Sequence, residues 1–463
     1  MIDLTSTIAA IATPPGSGAM AIIRLSGVQA LAIADRLFAS PSGKKLGEQK
    51  TATAHFGRII HGNETIDEVL ATVFRAPSSY TGEDTVEISC HGSVYIQQKI
   101  VQALIGCGAQ PAQPGEFTMR AFLNGKIDLA QAEAVGDLIA SETRTMHRVA
   151  MQQMRGNYSG EIKALREKLL HFASMLELEL DFADEDVDFA DREELKKLLQ
   201  DMIRTTAKLI DSFAAGNAIK KGIPVVIAGS PNVGKSTLLN ALLNDEKALV
   251  SDVAGTTRDA IEDSVTLGGA LFRFIDTAGI RSGADRVEQL GIERSYQKLE
   301  QAQIVLLVLD ATLPAADLHN SLLYFLKKIA EKQSLIALLN KVDSVGDTEL
   351  AEKLALLQPS CKLLALSAKN KTGIAELEQA LLQLAAIPDN LDGSIVSNLR
   401  HYEAFVSAGQ ALTRALDGLN DKLSEELIAF EIREAAQCLA AITGEIADTD
   451  ILNNIFKNFC IGK

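Results

Sequence analysis

The octapeptide Gly229-Ser230-Pro231-Asn232-Val233-Gly234-Lys235-Ser236 fits the pattern GxxxxGK[ST], and it constrains the fold more than any other feature of the chain. It follows the apolar run Val225-Val226-Ile227 and leads into a helical run, Thr237 to Leu243, which is the strand–loop–helix context the pattern requires. The glycines let backbone N–H groups turn inward around phosphates, and the helix N-terminus adds partial positive charge. In this reading Lys235 reaches the β- and γ-phosphates and the Ser236 hydroxyl ligates Mg²⁺, with Asn232, Val233, Gly234 and Thr237 completing the cradle. A chance Gly-rich turn would lack these flanking elements.

Further apolar runs alternate with helical stretches: Phe272 to Ile275, Ile304 to Leu309, Leu335 to Leu339 and Leu363 to Leu366. Alternating strand and helix predicts a parallel, doubly wound sheet. Three more motifs each end one of these strands. Asp276-Thr277-Ala278-Gly279 offers a carboxylate that acts on Mg²⁺ through water and a glycine N–H for the γ-phosphate. Asn340-Lys341-Val342-Asp343 offers a carboxylate, Asp343, that can accept both N1–H and N2–H of guanine, which adenine cannot present. Ser367-Ala368-Lys369 can meet the guanine O6 through backbone N–H. Four such motifs in order, each at the C-terminal end of a strand, lie where open α/β sheets bind ligands. The base expected is guanine.

Two departures from the Ras-like pattern bear on catalysis. Ile280 follows Gly279, where Ras-like proteins place the Gln that orients the attacking water, and an isoleucine cannot do this. Glu288, in the Gly-containing stretch Arg281 to Leu290, is a candidate for that task; on the residues alone an ordinary surface glutamate remains open. Asn232 is the second departure, since its side-chain oxygen can hold a monovalent cation in place of an arginine finger's charge.

At 463 residues the chain is too long for a single core. Residues 1–119 hold short apolar runs broken by Gly and Pro, among them Ile8 to Ala12, Ala21 to Ile23, Val69 to Phe74 and Val86 to Ile88, and predict an α+β domain. Residues 120–216 turn helical, with Ile162, Leu165, Leu169, Phe172 and Leu176 on one face. The nucleotide-binding domain spans 217–385, and helical texture returns over 386–463. The α/β domain is thus expected as an insertion into a helical domain. The stretch from Asp181 to Asp191 is strongly acidic and reads as a solvated loop or helix face.

The formal net charge of −15 excludes a global attraction to nucleic acid or an anionic membrane, so any RNA contact needs a local patch or a partner. Five dispersed cysteines, Cys90, Cys107, Cys361, Cys438 and Cys460, form neither zinc-finger nor CxxC spacing, and fit a reducing, cytoplasmic setting. The N-terminal Met1-Ile2-Asp3-Leu4 has no basic leader texture, and no run is apolar enough to span a bilayer.

The whole chain resembles the MnmE (TrmE) family of tRNA-modifying GTPases. The resemblance rests on Ala12-Thr13-Pro14-Pro15-Gly16, Ile23-Arg24-Leu25-Ser26-Gly27, Tyr80-Thr81-Gly82-Glu83-Asp84, Pro114-Gly115-Glu116-Phe117, Ala121-Phe122-Leu123-Asn124 and Lys126 to Glu133. It rests also on Gly255-Thr256-Thr257-Arg258-Asp259, which is similar to the family's switch I, and on the terminal Phe459-Cys460-Ile461-Gly462-Lys463, the most discriminating of all.

The resemblance implies that Thr257 joins Ser236 on Mg²⁺, and that Asn232, Ser251, Val253 and Thr256 hold K⁺. Switch I residues Ser251, Asp252, Val253, Ala254, Gly255, Thr256 and Thr257 would line the GTP site, and Glu288 would be the water-orienting residue beside the catalytic Asp276. Arg24, Glu87, Lys126 and Lys463 match the family's pocket for a formyl- or methylene-type tetrahydrofolate; on their own they are only scattered charges. Cys460 is a possible functional thiol. The family implication is a homodimer joined through its N-terminal domain. With a flavin-dependent partner subunit of GidA type, in a heterotetramer or larger complex, it installs an aminomethyl or carboxymethylaminomethyl group at C5 of the wobble uridine of certain tRNAs. Two other classes stay open on the residues: a non-modifying regulatory or ribosome-assembly switch, and a folate enzyme with a degenerate GTPase domain. The terminal Cys-Ile-Gly-Lys and the folate-pocket charges weigh against the first, and the intact nucleotide motifs weigh against the second.

Overall fold

The structure is a computed structural model, which describes residues 5–181, 192–243, 263–275, 302–330, 333–357, 361–385, 395–446, 449–457 and 459–463. The chain divides into two compact units, one taking in Met1–Ile139, Gln152–Lys196 and Gln410–Lys463, the other Ala140–Met151 and Lys197–Gly409.

The first unit opens with a seven-stranded sheet. Its elements are β1 (Ile8–Ile11), β2 (Met20–Ser26), α1 (Ala30–Leu37), β3 (Phe38–Ala39), β4 (Thr53–His61), β5 (Glu64–Phe74), β6 (Thr85–His91), α2 (Val94–Gly106) and β7 (Gln110–Pro111). The strand order is β3-β4-β5-β6-β2-β1-β7, antiparallel except where β7 runs parallel to β1. Period-two alternation sends Ala21, Ile23 and Leu25 of β2, with Val86, Ile88 and Cys90 of β6, into one core with Ile33 of α1 and Ile100 of α2. The same alternation turns Arg24 and Glu87 to the other face, where the β2–β6 register sets them directly opposite.

The chain continues through α3 (Glu116–Leu123), α4 (Leu129–Ile139), α5 (Arg144–Met154), α6 (Asn157–Asp181) and α7 (Arg192–Lys221). Helix α4 begins in a reciprocal cap: Gln131 N donates to Asp128 Oδ1 and Asp128 N to Gln131 Oε1, both at 2.9 Å. Along α6 the expected stripe is buried at Ile162, Leu169, Phe172 and Leu176, with Leu165 half-buried.

The second unit contains β8 (Ile223–Ala228), α8 (Lys235–Leu243), β9 (Asp263–Leu267), β10 (Ala270–Phe274), β11 (Ile304–Asp310), α9 (Ala315–Leu326), β12 (Ser334–Asn340), α10 (Asp347–Leu357), β13 (Lys362–Ala365) and α11 (Ile374–Ala385). The six strands are ordered β13-β12-β11-β8-β10-β9 and run parallel except for the β9–β10 pair. That hairpin turns on Gly268 and Gly269, whose φ values of 53° and 85° match a two-residue turn that only residues tolerant of positive φ adopt readily. Every residue of β11 is buried, as expected of a parallel strand covered on both faces. Ile304, Leu306 and Val308 enter one core, and Leu307 and Leu309 another. The predicted α/β sheet is therefore present, and the strand order reverses beside β8, whose C-terminal end carries the phosphate-loop motif.

The last elements are α12 (Leu399–Asn420), α13 (Glu425–Thr443) and α14 (Thr449–Phe456). In the first unit α13 packs along α6. Helix α14 returns to the N-terminal part of that unit, where Phe456 joins Met119, Leu129 and Ala132 in a core flanked by Phe459.

Candidate functional site

The loop after β8 owes its shape to two glycines. Gly229 has φ of 142°, and a Cβ there would sit 2.3 Å from the Val308 carbonyl oxygen. Gly234 has φ of 97°, and its Cβ would meet Asn340 Nδ2 at the same distance. Only glycine permits both the conformation and the approach. Asn232 takes φ of 62°, a left-handed value that Asn adopts more readily than most side chains. Lys235 Nζ donates to the carbonyls of Gly229 at 2.7 Å and Ser230 at 2.9 Å, so the amine lies against the loop it serves. Ser236 and Thr237, the next residues of α8, are both exposed.

Asn340, at the end of β12, draws the separate motifs together. Its buried side-chain amide donates to the Val233 carbonyl at 2.8 Å, and its Oδ1 accepts from the Ala368 N–H at 3.0 Å. The Ala368 N–H expected to face the guanine O6 is thus engaged by Asn340 here. Lys341 has φ of 66° and caps the short turn Val342–Ser344, which carries Asp343. Asp343 is exposed, and a hydrogen bond from Ser367 holds its carboxyl below the usual range, with Lys369 adding to the effect. An ionised carboxylate beside backbone donors is the chemistry that pairs with the N–H edge of guanine. The sequence motifs missed Asp310, which accepts from Lys341 Nζ at 2.6 Å. Its only signal was its place as a polar residue ending an apolar strand.

Among the sequence candidates, Ser251, Asp252, Val253, Ala254, Gly255, Thr256, Thr257, Asp276, Thr277, Ala278, Gly279 and Glu288 lie outside the described residues. The structure brings together Val233, Gly234, Lys235, Asn340, Lys341, Asp343, Ser367, Ala368 and Lys369, and Asn232 precedes Val233 in the same loop.

A second constellation lies on the face of the first unit's sheet that Arg24 and Glu87 share, beside the buried Phe117. Arg24 Nε donates to Glu87 Oε1 at 2.9 Å, and Arg24 Nη2 lies 2.8 Å from the same oxygen. The Arg24 guanidinium also stands 5.5 Å from the ring centroids of both Tyr80 and Phe117. Burial pushes the Tyr80 phenol up from its ordinary value, against the opposing pull of its bond with Thr118 and of Arg24. Arg24 Nη1 reaches the carbonyl of Gly462 at 3.2 Å, so the C-terminal tail folds back to this face. Gly462 has φ of 97°, and a Cβ there would lie 2.3 Å from the Ile11 carbonyl. The Cys460 carbonyl accepts from Gly115 N at 3.4 Å, and the Cys460 side chain is exposed. Lys126 Nζ donates to the Pro77 carbonyl at 2.9 Å, and its stem lies along Gly82, in the same β5–β6 loop that carries Tyr80. Lys463 N donates to the Cys460 carbonyl at 3.3 Å, and the residue is half-buried. Tyr80 and Phe117 belonged to motifs read in the sequence without a role being seen for either.

Among the described residues no cluster of His, Cys, Asp and Glu is poised to hold a metal, and no helix is long and apolar enough to cross a membrane.

A family profile described as "MnmE helical domain" matches residues 129–460, and another, "GTP-binding protein TrmE N-terminus", matches residues 7–126. A curated protein of Christiangramia forsetii, named tRNA modification GTPase MnmE, is 51% identical over 475 residues, covering 100% of this chain and 100% of that one. Its namesake in Flavobacterium johnsoniae is 51% identical over 466 residues, covering 99% of each. Among solved structures, the G domain of the T. maritima FeoB iron transporter is 27% identical, covering 35% of this chain and 98% of that one, at a TM-score of 0.25.

Proposed function

This chain belongs to the MnmE family of tRNA modification GTPases, and on that premise we propose that it hydrolyses GTP to drive modification of the wobble uridine, position 34, of certain tRNAs. The observation that carries the reading is the pair of hydrogen bonds made by the Asn340 side chain, which ties the phosphate-loop motif at Val233 to the proposed base-recognition motif at Ala368. Together with the ionised Asp343, it supports guanine nucleotide as the ligand.

Ser236 and Thr257 would hold Mg²⁺, with Asp276 acting on it through water. The exposed Ser236 hydroxyl at the start of α8 fits that task. Asn232, Ser251, Val253 and Thr256 would hold K⁺, and the left-handed Asn232 is compatible with an amide oxygen turned to an ion. Either cation would supply positive charge where negative charge develops on the phosphoryl oxygens. Glu288 would orient the attacking water. Thr277, Ala278, Gly279 and the switch I residues Asp252, Ala254 and Gly255 complete the proposed GTP contacts.

In the first unit, Arg24, Glu87, Lys126 and Lys463 would bind a tetrahydrofolate derivative as one-carbon donor. A guanidinium near two aromatic rings, beside a carboxylate that can accept from a pterin's N–H edge, fits a flat, polar heterocycle with an anionic tail. The group transferred to uridine C5 is aminomethyl or carboxymethylaminomethyl, made jointly with a flavin-dependent partner subunit. The active form is a homodimer joined through its N-terminal domain, acting in the cytoplasm. Cys460, exposed in this tail, would be the functional thiol. We take 1–119, 120–216, 217–385 and 386–463 as the domain segments.

The experiment is GTP hydrolysis in K⁺ against Na⁺. A rate at least about tenfold higher in K⁺, abolished by Asn232→Ala with Mg²⁺–GTP binding retained, agrees with the proposal. Equal wild-type rates in the two salts contradict it.

A further inference from the structure

Base recognition leaves one charge pair without a role. Asp310, the last residue of β11, is 9% exposed. Its Oδ2 accepts from Lys341 Nζ at 2.6 Å, and its Oδ1 from Thr312 N at 3.0 Å and Thr312 Oγ1 at 2.7 Å. In the β11–β12 register Asp310 stands directly opposite Asn340. The segment just after it is tied twice more: Ala311 N donates to the Asn340 carbonyl at 2.8 Å, and the almost wholly buried Lys353 donates to the Ala311 carbonyl at 2.7 Å. Thr312 and Lys353 therefore fix Asp310 from its own side, and Asp310 in turn holds Lys341.

Lys341 needs holding. A residue with a side chain at φ of 66° is strained, and such a conformation persists only where its surroundings over-determine it. Lys341 joins Asn340, which ties the phosphate loop, to the short turn that presents Asp343. We propose that Asp310 is a positioning residue for base recognition. By anchoring the Lys341 amine it keeps the left-handed turn in place, and so sets the Asp343 carboxylate and the Asn340 amide for the guanine ring. The proposal rests on the reading of this site as a guanine-nucleotide site. The Lys341 end of this ion pair is open to solvent, and a pair of this kind adds little net stability, so stability alone does not account for it.

The test is calorimetric titration of the full chain with GDP. Asp310→Asn and Lys341→Met each weaken binding by about tenfold, the scale of one charge-assisted hydrogen bond. Because Asp310 acts through Lys341, the double variant binds no more weakly than the weaker single one. A merely structural role would not produce that coupling. Should Asp310→Asn fail to fold by circular dichroism, Thr312→Val loosens the same carboxylate. It lowers affinity several-fold, about the worth of one neutral hydrogen bond, and has no effect in the Lys341→Met background. The proposal is overturned if Asp310→Asn, or in its place Thr312→Val, binds GDP within about twofold of wild type, or if the losses multiply in the double variant. Failure of the wild-type chain to bind GDP overturns the underlying reading instead.

Discussion

The side-chain amide of Asn340 donates to the backbone carbonyl of Val233 at 2.8 Å, across 107 residues of sequence. Both groups are buried, and the partner oxygen of the same amide takes the Ala368 N–H. One side chain therefore couples the loop proposed to surround phosphates to the segments proposed to face the base.

Asn340→Ala removes both bonds at once and leaves a buried carbonyl and a buried N–H without their partner, at about 1–3 kcal/mol for each unsatisfied group. GDP affinity falls by at least about tenfold on that scale, and the thermal stabilisation given by GDP shrinks with it. Calorimetry and a melting curve with and without GDP check both. Unchanged affinity would remove Asn340 from the site.

Gly462→Ala tests the returned tail. The new Cβ would lie 2.3 Å from the Ile11 carbonyl at a backbone angle that disfavours any side chain, so the tail must shift away from Arg24. Titration with a reduced folate should register weaker binding while GTP hydrolysis stays at the wild-type rate. Deleting Lys463 alone separates its own contribution, and a deletion that binds folate normally would strike that residue from the pocket.

Much of the second unit is legible in the sequence, for a physical reason. Central parallel strands are covered on both faces, so β8, β11 and β12 read as continuous apolar runs. Strand β9, Asp-Ser-Val-Thr-Leu, lies at a sheet edge with alternating burial and offers no such run. Strand β4 was missed likewise, because its outward residues are polar or exposed and Gly57 interrupts it. In the site, motifs of consecutive residues could be read, whereas partners distant in the chain could not. Asp310 gains its role only from Lys341, 31 residues on. Arg24 and Glu87 were named by resemblance alone, since no sequence pattern reveals the register that sets them opposite.

The thiols divide by burial. The Cys90 thiol is buried, and desolvation, reinforced by Asp67, pushes it up to about 11. An acid so raised is overwhelmingly protonated at pH 8, and the thiol is the unreactive form. Cys460 is exposed. Brief alkylation at pH 8 followed by peptide mass spectrometry therefore modifies Cys460 and spares Cys90 until the chain is unfolded. Rapid modification of native Cys90 would contradict the packing described.

For hydrolysis, Ile280 cannot orient water and Glu288 is the proposed substitute. Glu288→Ala lowers the GTP turnover rate by about a hundredfold or more with GTP binding nearly intact, the pattern of a group that acts mainly in the transition state. Single-turnover kinetics beside equilibrium binding separate the two quantities. Turnover within a few-fold of wild type would make Glu288 an ordinary surface residue.

The claim that this GTPase serves tRNA modification is tested most directly by mass spectrometry of wobble uridines in tRNA from cells lacking the protein. Three strains suffice: the deletion, the deletion carrying the wild-type gene, and the deletion carrying Glu288→Ala. The account predicts that C5 aminomethyl-type modification disappears in the first, returns in the second and stays absent or strongly reduced in the third. Full modification in the deletion strain would contradict it.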